Sequence, residues 1–287
     1  MSIYAELVIW DVQHGSAAYL RSPNNKHIVL DLGIGSYKSV NTTFSPLLFL
    51  RDQVGVEKIN HLIISHPHKD HIEDILNIDY LVPIVFSRPK NLDLTELLDE
   101  ASYEDLQLYE KYIEIDESYV FPYNAQDDPN NPSNYGGLQT QIFPSIEIDS
   151  LNINNLGIIA IFNFANIKII FPGDIETSAW LQILEDHVTC EALANADVYI
   201  ASHHGRESGF NNDIMNIINP SITIISDGRH CDTSAIDRYR NKSQGWTIHR
   251  SDGQSEKRKC LSTYSSGTVN IKFGKNDSGS FLEITIA

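Results

Sequence analysis

Cysteine is scarce: three in 287 residues, at Cys190, Cys231 and Cys260, are too few and too scattered for a disulfide framework or a cysteine-based zinc knuckle. That usage points to a reducing cytoplasm. Long apolar runs are missing as well; none approaches the roughly 18–20 residues that a membrane span needs, so no membrane insertion is expected. The first fifteen residues, MSIYAELVIWDVQHG, have no basic region ahead of the apolar stretch and reach a charge at Glu6, which excludes the pattern of a signal peptide. Basic residues are also few, 21 Lys and Arg against 38 Asp and Glu, for a net charge of -17. Taken alone, that balance argues against a polyanionic substrate, whose binding is driven by basic surface. What remains is ordinary for a globular protein: 41% hydrophobic residues, enough to bury a full core.

The charge is not spread evenly. Between Ile72 and Asp149 stand 17 acidic and 3 basic residues, whereas Arg229 to Lys275 carries 10 basic and 4 acidic. The acid therefore sits in one central segment, and the C-terminal part is free to face an anion. Both segments are equally compatible with ordinary solvated faces.

Apolar patterning predicts strands over ELVIWDV, AAYLRS and HIVLDLG, then a helix over FSPLLFLRDQVGV and a buried strand over NHLIIS. The loop SHPHKDH leads into the start of a helix at IEDILNI. An acidic helical and loop insertion is expected over about 92–135, helical through LDLTELLDEASYEDLQLYEKYIEI and exposed through PYNAQDDPNNPSNYGG. Strands resume at LQTQIF, GIIAIFNF and NIKIIF, a turn and helix follow in PGDIETSAWLQILEDHV, and DVYIAS, SITIIS and GWTIHR read as three more strands. STYSSGTVNIKF and FLEITI close the chain as a hairpin and last strand. With no repeat, low-complexity tract or linker, one mixed α/β domain over residues 1–287 is the simplest account.

The informative feature is where polar residues fall. WDVQHG, VLDLG, IISHPHKDH, IIFPGD, YIASHHG and IISDG each place them directly after an apolar strand, and strand ends on one edge of a sheet can converge on one crevice. Five of the eleven histidines, His66, His68, His71, His203 and His204, lie in two of these loops. Imidazole with carboxylate suits zinc, manganese or iron, and the lack of cysteine in the loops argues against a structural zinc site. His66, His68, Asp70, His71, Asp174, His203 and His204 exceed the ligand count of one tetrahedral ion, which suggests two divalent ions sharing a carboxylate.

HPHKDH also fits the HxHxDH signature of the metallo-β-lactamase fold, followed by Gly173-Asp174 and by His203-His204-Gly205. Within that superfamily the chain most resembles the nuclease domain of ComEC-type competence proteins. DVQHGSAAYL resembles their DVGQGDA opening, VLDLG their strand ending in Asp-x-Gly, and NNLGIIAIFNFANIKIIFPGDIE their stretch from a paired Asn to GDIE. ASHHGRESG resembles PHHGS, and WTIHRSDG a late strand and turn; the likeness spans residues 5 to 273, without a membrane channel. The resemblance implies a four-layer αβ/βα sandwich, two mixed β-sheets flanked by helices, with metals at the strand edge. It implies His66 and His68 on one metal, Asp70 and His71 on the other, Asp174 bridging, and one of His203 and His204 completing the second site.

Two departures bear on the carry-over. No histidine lies between His71 and His187, so the first site lacks a third imidazole and is expected to be weak, with Asn154 or Asn155 supplying a contact through water. Gln13, His14 and Ser16 stand where the resembled motif has Gly, Gln and Asp. Asp11 and Asp31 are expected to hold the far nitrogens of ligand histidines, or else simply to end strands; His14 is a candidate substrate contact. The competing roles are caps: Asp70 or a neighbour, and Asp174 in PGDIE, also suit helix starts.

The sequence is thus expected to encode a metal-dependent hydrolase of phosphodiester bonds, a nuclease acting on DNA through activated water, with Asp70 orienting that water. Two other readings use the same residues. One is a metallo-hydrolase of a small ester, lactone or nucleotide. The other is a catalytically inert metal-binding subunit whose acidic segment binds a basic protein partner.

Overall fold

A computed structural model describes residues 2–35, 44–90, 92–145, 152–228 and 232–287; Cys231 lies outside them. Five strands come first: β1 (Ile3–Ile9), β2 (Ala17–Arg21), β3 (His27–Leu32), β4 (Ile59–Ile63) and β5 (Pro83–Ser87). The next five are β6 (Gln139–Pro144), β7 (Ile158–Phe164), β8 (Ile167–Phe171), β9 (Val198–Ile200) and β10 (Ile222–Ile225). The last are β11 (Trp246–Arg250), β12 (Ser255–Arg258), β13 (Cys260–Ser262), β14 (Val269–Asn276) and β15 (Gly279–Ile286).

They form a nine-stranded sheet, β12-β11-β15-β14-β1-β2-β3-β4-β5, and a six-stranded sheet, β13-β10-β9-β8-β7-β6. Both are mixed. β3, β4 and β5 run parallel, as do β8, β9, β10 and β13, while β1, β2, β14 and β15 pair as antiparallel hairpins.

The alternation of side chains along each strand separates three cores. Leu7, Ile28 and Ile271 of the large sheet meet Phe162, Ile169 and Ile224 of the small one between the sheets. Val29 and Leu62, on the other face, pack against Leu50, Ile75, Leu108 and Tyr112 of a helical layer. Ile161 and Ile170 pack outward against Trp180, Ile214 and Tyr239 of a second layer. Helices, sheet, sheet, helices is the αβ/βα sandwich expected from the sequence.

Several local expectations change. The acidic helical stretch breaks into Leu94–Glu100 and Leu106–Ser118. Its second helix buries Leu108, Tyr112 and Ile115, so this part of the insertion packs into the helical layer. The stretch expected as an exposed loop is anchored by Tyr135, which is buried, and by Asn134, whose amide donates to the carbonyls of Ala125 and Asp128. After SHPHKDH, a short helix at Lys69–Ile72 passes into a 3-10 helix at Glu73–Tyr80. There Asp74 accepts from Leu47 N at 2.7 Å and Ser45 Oγ at 2.7 Å, so this buried carboxylate caps the helix at Pro46. Among the described residues, no helix is long and apolar enough to cross a membrane.

Candidate metal centre

The C-terminal ends of β3 and β4 in one sheet and of β8, β9 and β10 in the other meet at one edge of the sandwich. Asp31 is the hub on the first sheet. It sits in β3 with a left-handed φ of 54°, beside a register shift between Ala17 and Ala18. Its carboxylate accepts from Ser65 N at 2.7 Å, Ser65 Oγ at 2.9 Å and His71 Nδ1 at 2.8 Å. With its proton given to Asp31, Ser65 Oγ is left to accept from His66 Nδ1 at 3.1 Å. On the second sheet, His204 Nδ1 donates to the carbonyl of Ser226 at 2.9 Å. In their neutral form these three imidazoles thereby carry the proton on Nδ1 and turn Nε2 inward, the arrangement that metal-binding histidines require.

Asp174 stands between them. Its Oδ1 lies 3.4 Å from His71 Nε2, and its Oδ2 lies 3.3 Å from His204 Nε2 and 4.0 Å from His66 Nε2. Asp70 Oδ2 faces His204 Nε2 at 3.2 Å and His71 Nε2 at 3.9 Å. His66 Nε2 faces His68 Nδ1 at 3.1 Å, close to the about 3.3 Å separating two nitrogens bound at 2.0–2.1 Å to one tetrahedral ion. Donor atoms of His66, His71 and Asp174, and of Asp70, His71 and His204, each lie within 4.8 Å of one another. The Nε2 atoms of His71 and His204 are buried and find no hydrogen-bond partner. Buried ring nitrogens crowded against carboxylates are costly unless positive charge, a proton or a metal ion, sits among them, so this donor set fits divalent cations.

The charges follow from burial against neighbours. Burial drives the His71 ring down, but Asp174, Asp31 and Asp70 outweigh it and lift the pKa to about 10. Burial also opposes charge on His204, and Asp174 again reverses it, carrying that pKa well above the usual histidine range. Asp174 is raised by burial but held well below the usual carboxylate range by His204 and His71; Asp70 behaves alike beside His71 and His204. His66 and His68 are lowered, chiefly by burial, and so are neutral.

A pH dependence follows. A histidine whose folded pKa is raised stabilises the fold fully below its unfolded value, 6.5, and loses that contribution as pH climbs toward about 10. The chelator-treated protein is therefore expected to melt at progressively lower temperature between those pH values. Added zinc, which needs the deprotonated imidazole, should reduce the fall. Differential scanning fluorimetry across that interval checks it; a flat or rising profile without metal would show that His71 is not held protonated.

The HHG pair divides in two. His204 presents its Nε2 to the cluster, whereas His203 is engaged on both ring nitrogens: Nδ1 lies 2.8 Å from Glu176 Oε1 and 2.9 Å from Ser208 Oγ, and Nε2 accepts from Arg206 at 2.8 Å. His203 Nε2 is 3.9 Å from Asp174 Oδ2. Both histidines adopt left-handed backbone, φ 49° and 51°, a conformation that costs energy in non-glycine residues and gathers at functional sites.

His14 Nε2 lies 3.3 Å from Asp70 Oδ2, on the open side of the cluster. Its loop is seated by close backbone approach: a Cβ on Gly228 would lie 2.7 Å from His14 N, and one on Gly15 would lie 2.6 Å from the Asp70 carbonyl. Asn155 does not reach the histidines. Its amide donates to Ser178 Oγ and its carbonyl accepts from Glu176 N, tying the loop before β7 to the segment after Asp174. Asn154 is the member of the pair beside His68, and its side chain is buried there. Asp11 takes the alternative, strand-end role: it turns back to accept from Gln13 N at 3.1 Å and Gln13 Nε2 at 3.0 Å, which closes its own turn. Ser65, Glu176 and the Ser226 carbonyl were not singled out from sequence. Ser65 and Ser226 do follow apolar strands in loops that the strand-end pattern marks, so a signal for them was present.

No protein-family model and no curated protein matches the sequence. Among solved structures the chain is similar to a Thermotoga maritima protein described as a zinc-dependent hydrolase of the metallo-β-lactamase superfamily, at 12% identity and TM-score 0.40, over 89% of this chain and 97% of that one. It is similar to a variant of the β-hydroxylase CmlA at 11% identity and TM-score 0.49, over 92% of this chain and 53% of that one. It is also similar to a diphosphatase of the PhnP family at 11% identity and TM-score 0.43, over 92% and 96% respectively. Similarities this distant decide nothing about the reaction. The likeness to ComEC-type nuclease domains rests on sequence motifs alone.

Proposed function

We propose that the chain is a metal-dependent hydrolase of phosphodiester bonds, with DNA as its polymer substrate. The observation that carries the hydrolase reading is the convergence of buried, inward-facing imidazole nitrogens from both sheets on one shared carboxylate, Asp174. His66 and His68 would hold one ion, Asp70, His71 and His204 the other, with Asp174 between. Bound there, divalent cations would acidify a water to near neutrality and offset charge on phosphoryl and leaving oxygens.

The chain's own groups supply the rest. Asp70, 21% exposed at its side chain against 6% for Asp174, faces the opening and orients the attacking water as a hydrogen-bond acceptor. His14 lies over Asp70 and contacts the substrate there. The Asp31–Ser65 pair keeps His66 and His71 in the ligand tautomer. Support for DNA comes from the ComEC-like motifs and from the basic segment after residue 229.

The test is incubation with manganese, and separately zinc, on single-stranded and plasmid DNA, beside Asp70→Ala. Degradation by the wild type alone is expected. Turnover of bis(p-nitrophenyl) phosphate without any cleavage of DNA would favour a small ester instead, a reading that the net charge of -17 supports. No turnover of either, with metal bound, would favour the inert subunit.

A further inference from the structure

Arg206 stands apart from the other described arginines. Arg21, Arg51, Arg88, Arg238, Arg240, Arg250 and Arg258 each form an ion pair with a carboxylate. Arg206 forms none among the described residues, although two carboxylates are near it in the chain and in the fold. Glu207 pairs with Arg238, and Glu176 is taken by His203 Nδ1 at 2.8 Å. The hydrogen bond Arg206 does make runs from NH1 to His203 Nε2 at 2.8 Å, while its Nε is buried without a partner.

That bond settles how His203 is used. A guanidinium has no acceptor and does not deprotonate, so His203 Nε2 must accept, and the ring proton sits on Nδ1, directed at Glu176. Glu176, His203 and Arg206 form a chain in which each fixes the next. Its middle member lies beside the metal cluster, because the same His203 Nε2 that Arg206 bonds is 3.9 Å from Asp174 Oδ2. A half-buried cation without a counter-ion is costly to keep, and the planar fork of guanidinium matches two oxygens of a phosphate. A neutral ester or lactone offers such a group a carbonyl acceptor but no charge to offset its own.

We infer that Arg206, positioned by His203 and Glu176, grips a non-bridging phosphoryl oxygen of the substrate, so that the site selects phosphoesters over neutral esters. This rests on the hydrolase reading above and names the group that would set its substrate class.

The experiment uses the metal-loaded full chain, with inorganic phosphate as the binding probe in calorimetry and bis(p-nitrophenyl) phosphate and p-nitrophenyl acetate as substrates. Arg206→Gln is expected to weaken phosphate binding roughly 10–100-fold, the span of a charge-assisted hydrogen bond. It should raise KM for the diester more than it lowers kcat, and reduce the diester-to-acetate ratio of kcat/KM. Arg206→Lys, which keeps the charge without the fork, should fall between. His203→Gln should shift phosphate affinity in the same direction with its metal content intact. Unchanged phosphate affinity in Arg206→Gln and Arg206→Lys would overturn the inference, as would loss of a metal equivalent in His203→Gln, since His203 would then be a ligand. Arg206-dependent phosphate binding in a protein that turns over only the acetate would sink the phosphodiesterase reading and leave the anion site standing.

Discussion

Asp174→Asn is expected to lower hydrolysis by at least ~10³-fold, beyond the roughly 10–100-fold typical of groups that only support a ligand. Asparagine keeps the volume and both heteroatoms, so packing of this buried residue is conserved while its charge is lost. Asp174 faces three imidazoles from two loops, with His71 on one oxygen and His204 and His66 on the other. Without the charge, the two proposed ions would lose their common ligand, and the metal content measured by mass spectrometry should fall from two equivalents to one or none. The ion-free protein supplies an independent check. Burial alone would raise the Asp174 carboxyl, and it stays ionised because His204 and His71 carry positive charge beside it. Those two rings lose their main partner in the variant, so the fall in melting temperature with rising pH should flatten. Activity within tenfold of wild type would mean that Asp174 merely starts the following helix segment.

Asp31 carries the second large effect although it touches no ion. Three donors converge on it, Ser65 N, Ser65 Oγ and His71 Nδ1, and the residue is 5% exposed. Asp31→Asn would place an amide N–H against one of these donors and leave another buried group unmet, at a cost of about 1–3 kcal/mol in stability. His71 could also turn its proton to Nε2, where it would meet the ion instead of a lone pair. Metal affinity is expected to fall roughly 10–100-fold. Asp31→Ala should be worse in stability, because it removes all the acceptors and because alanine tolerates the left-handed φ of 54° less well than asparagine. Metal titration followed by calorimetry, with melting of the ion-free variants, measures both effects. Equal stability of the two variants would remove the backbone part of this account.

Much of the sheet framework was legible, because β3, β4, β7, β8, β9 and β10 are short apolar runs bounded by polar turns. β5, β12 and β13 were not. Pro83–Ser87 offers no alternation, Ser255–Arg258 is polar throughout, and Cys260–Ser262 is three residues long, so each becomes a strand only through its neighbours. The acidic helix breaks at Ala101, for which the periodicity of LDLTELLDEASYEDLQLYEKYIEI provides no warning apart from Ser102, whose hydroxyl bonds Asp105. At the site, the polar residues after strands marked the crevice, since parallel strands deliver their C-terminal ends to one edge. What the pattern could not show is which nitrogen each ring presents. His203 and His204 are adjacent and identical in type, and only the Ser226 carbonyl on one and the Arg206–Glu176 chain on the other distinguish them. The two readings left open for Asp11 part for a related reason: a carboxylate at a strand end can close its own turn, and Gln13 two residues on provides both donors.

Calorimetric titration of the chelator-treated wild-type protein with zinc, and in parallel with manganese, tests the metal centre most directly. Two equivalents are predicted, the second set weaker than the first, with protons released near neutral pH as His71 and His204 give up theirs. A single equivalent that persists in Asp174→Asn, or no binding at all, would contradict a paired centre built around Asp174.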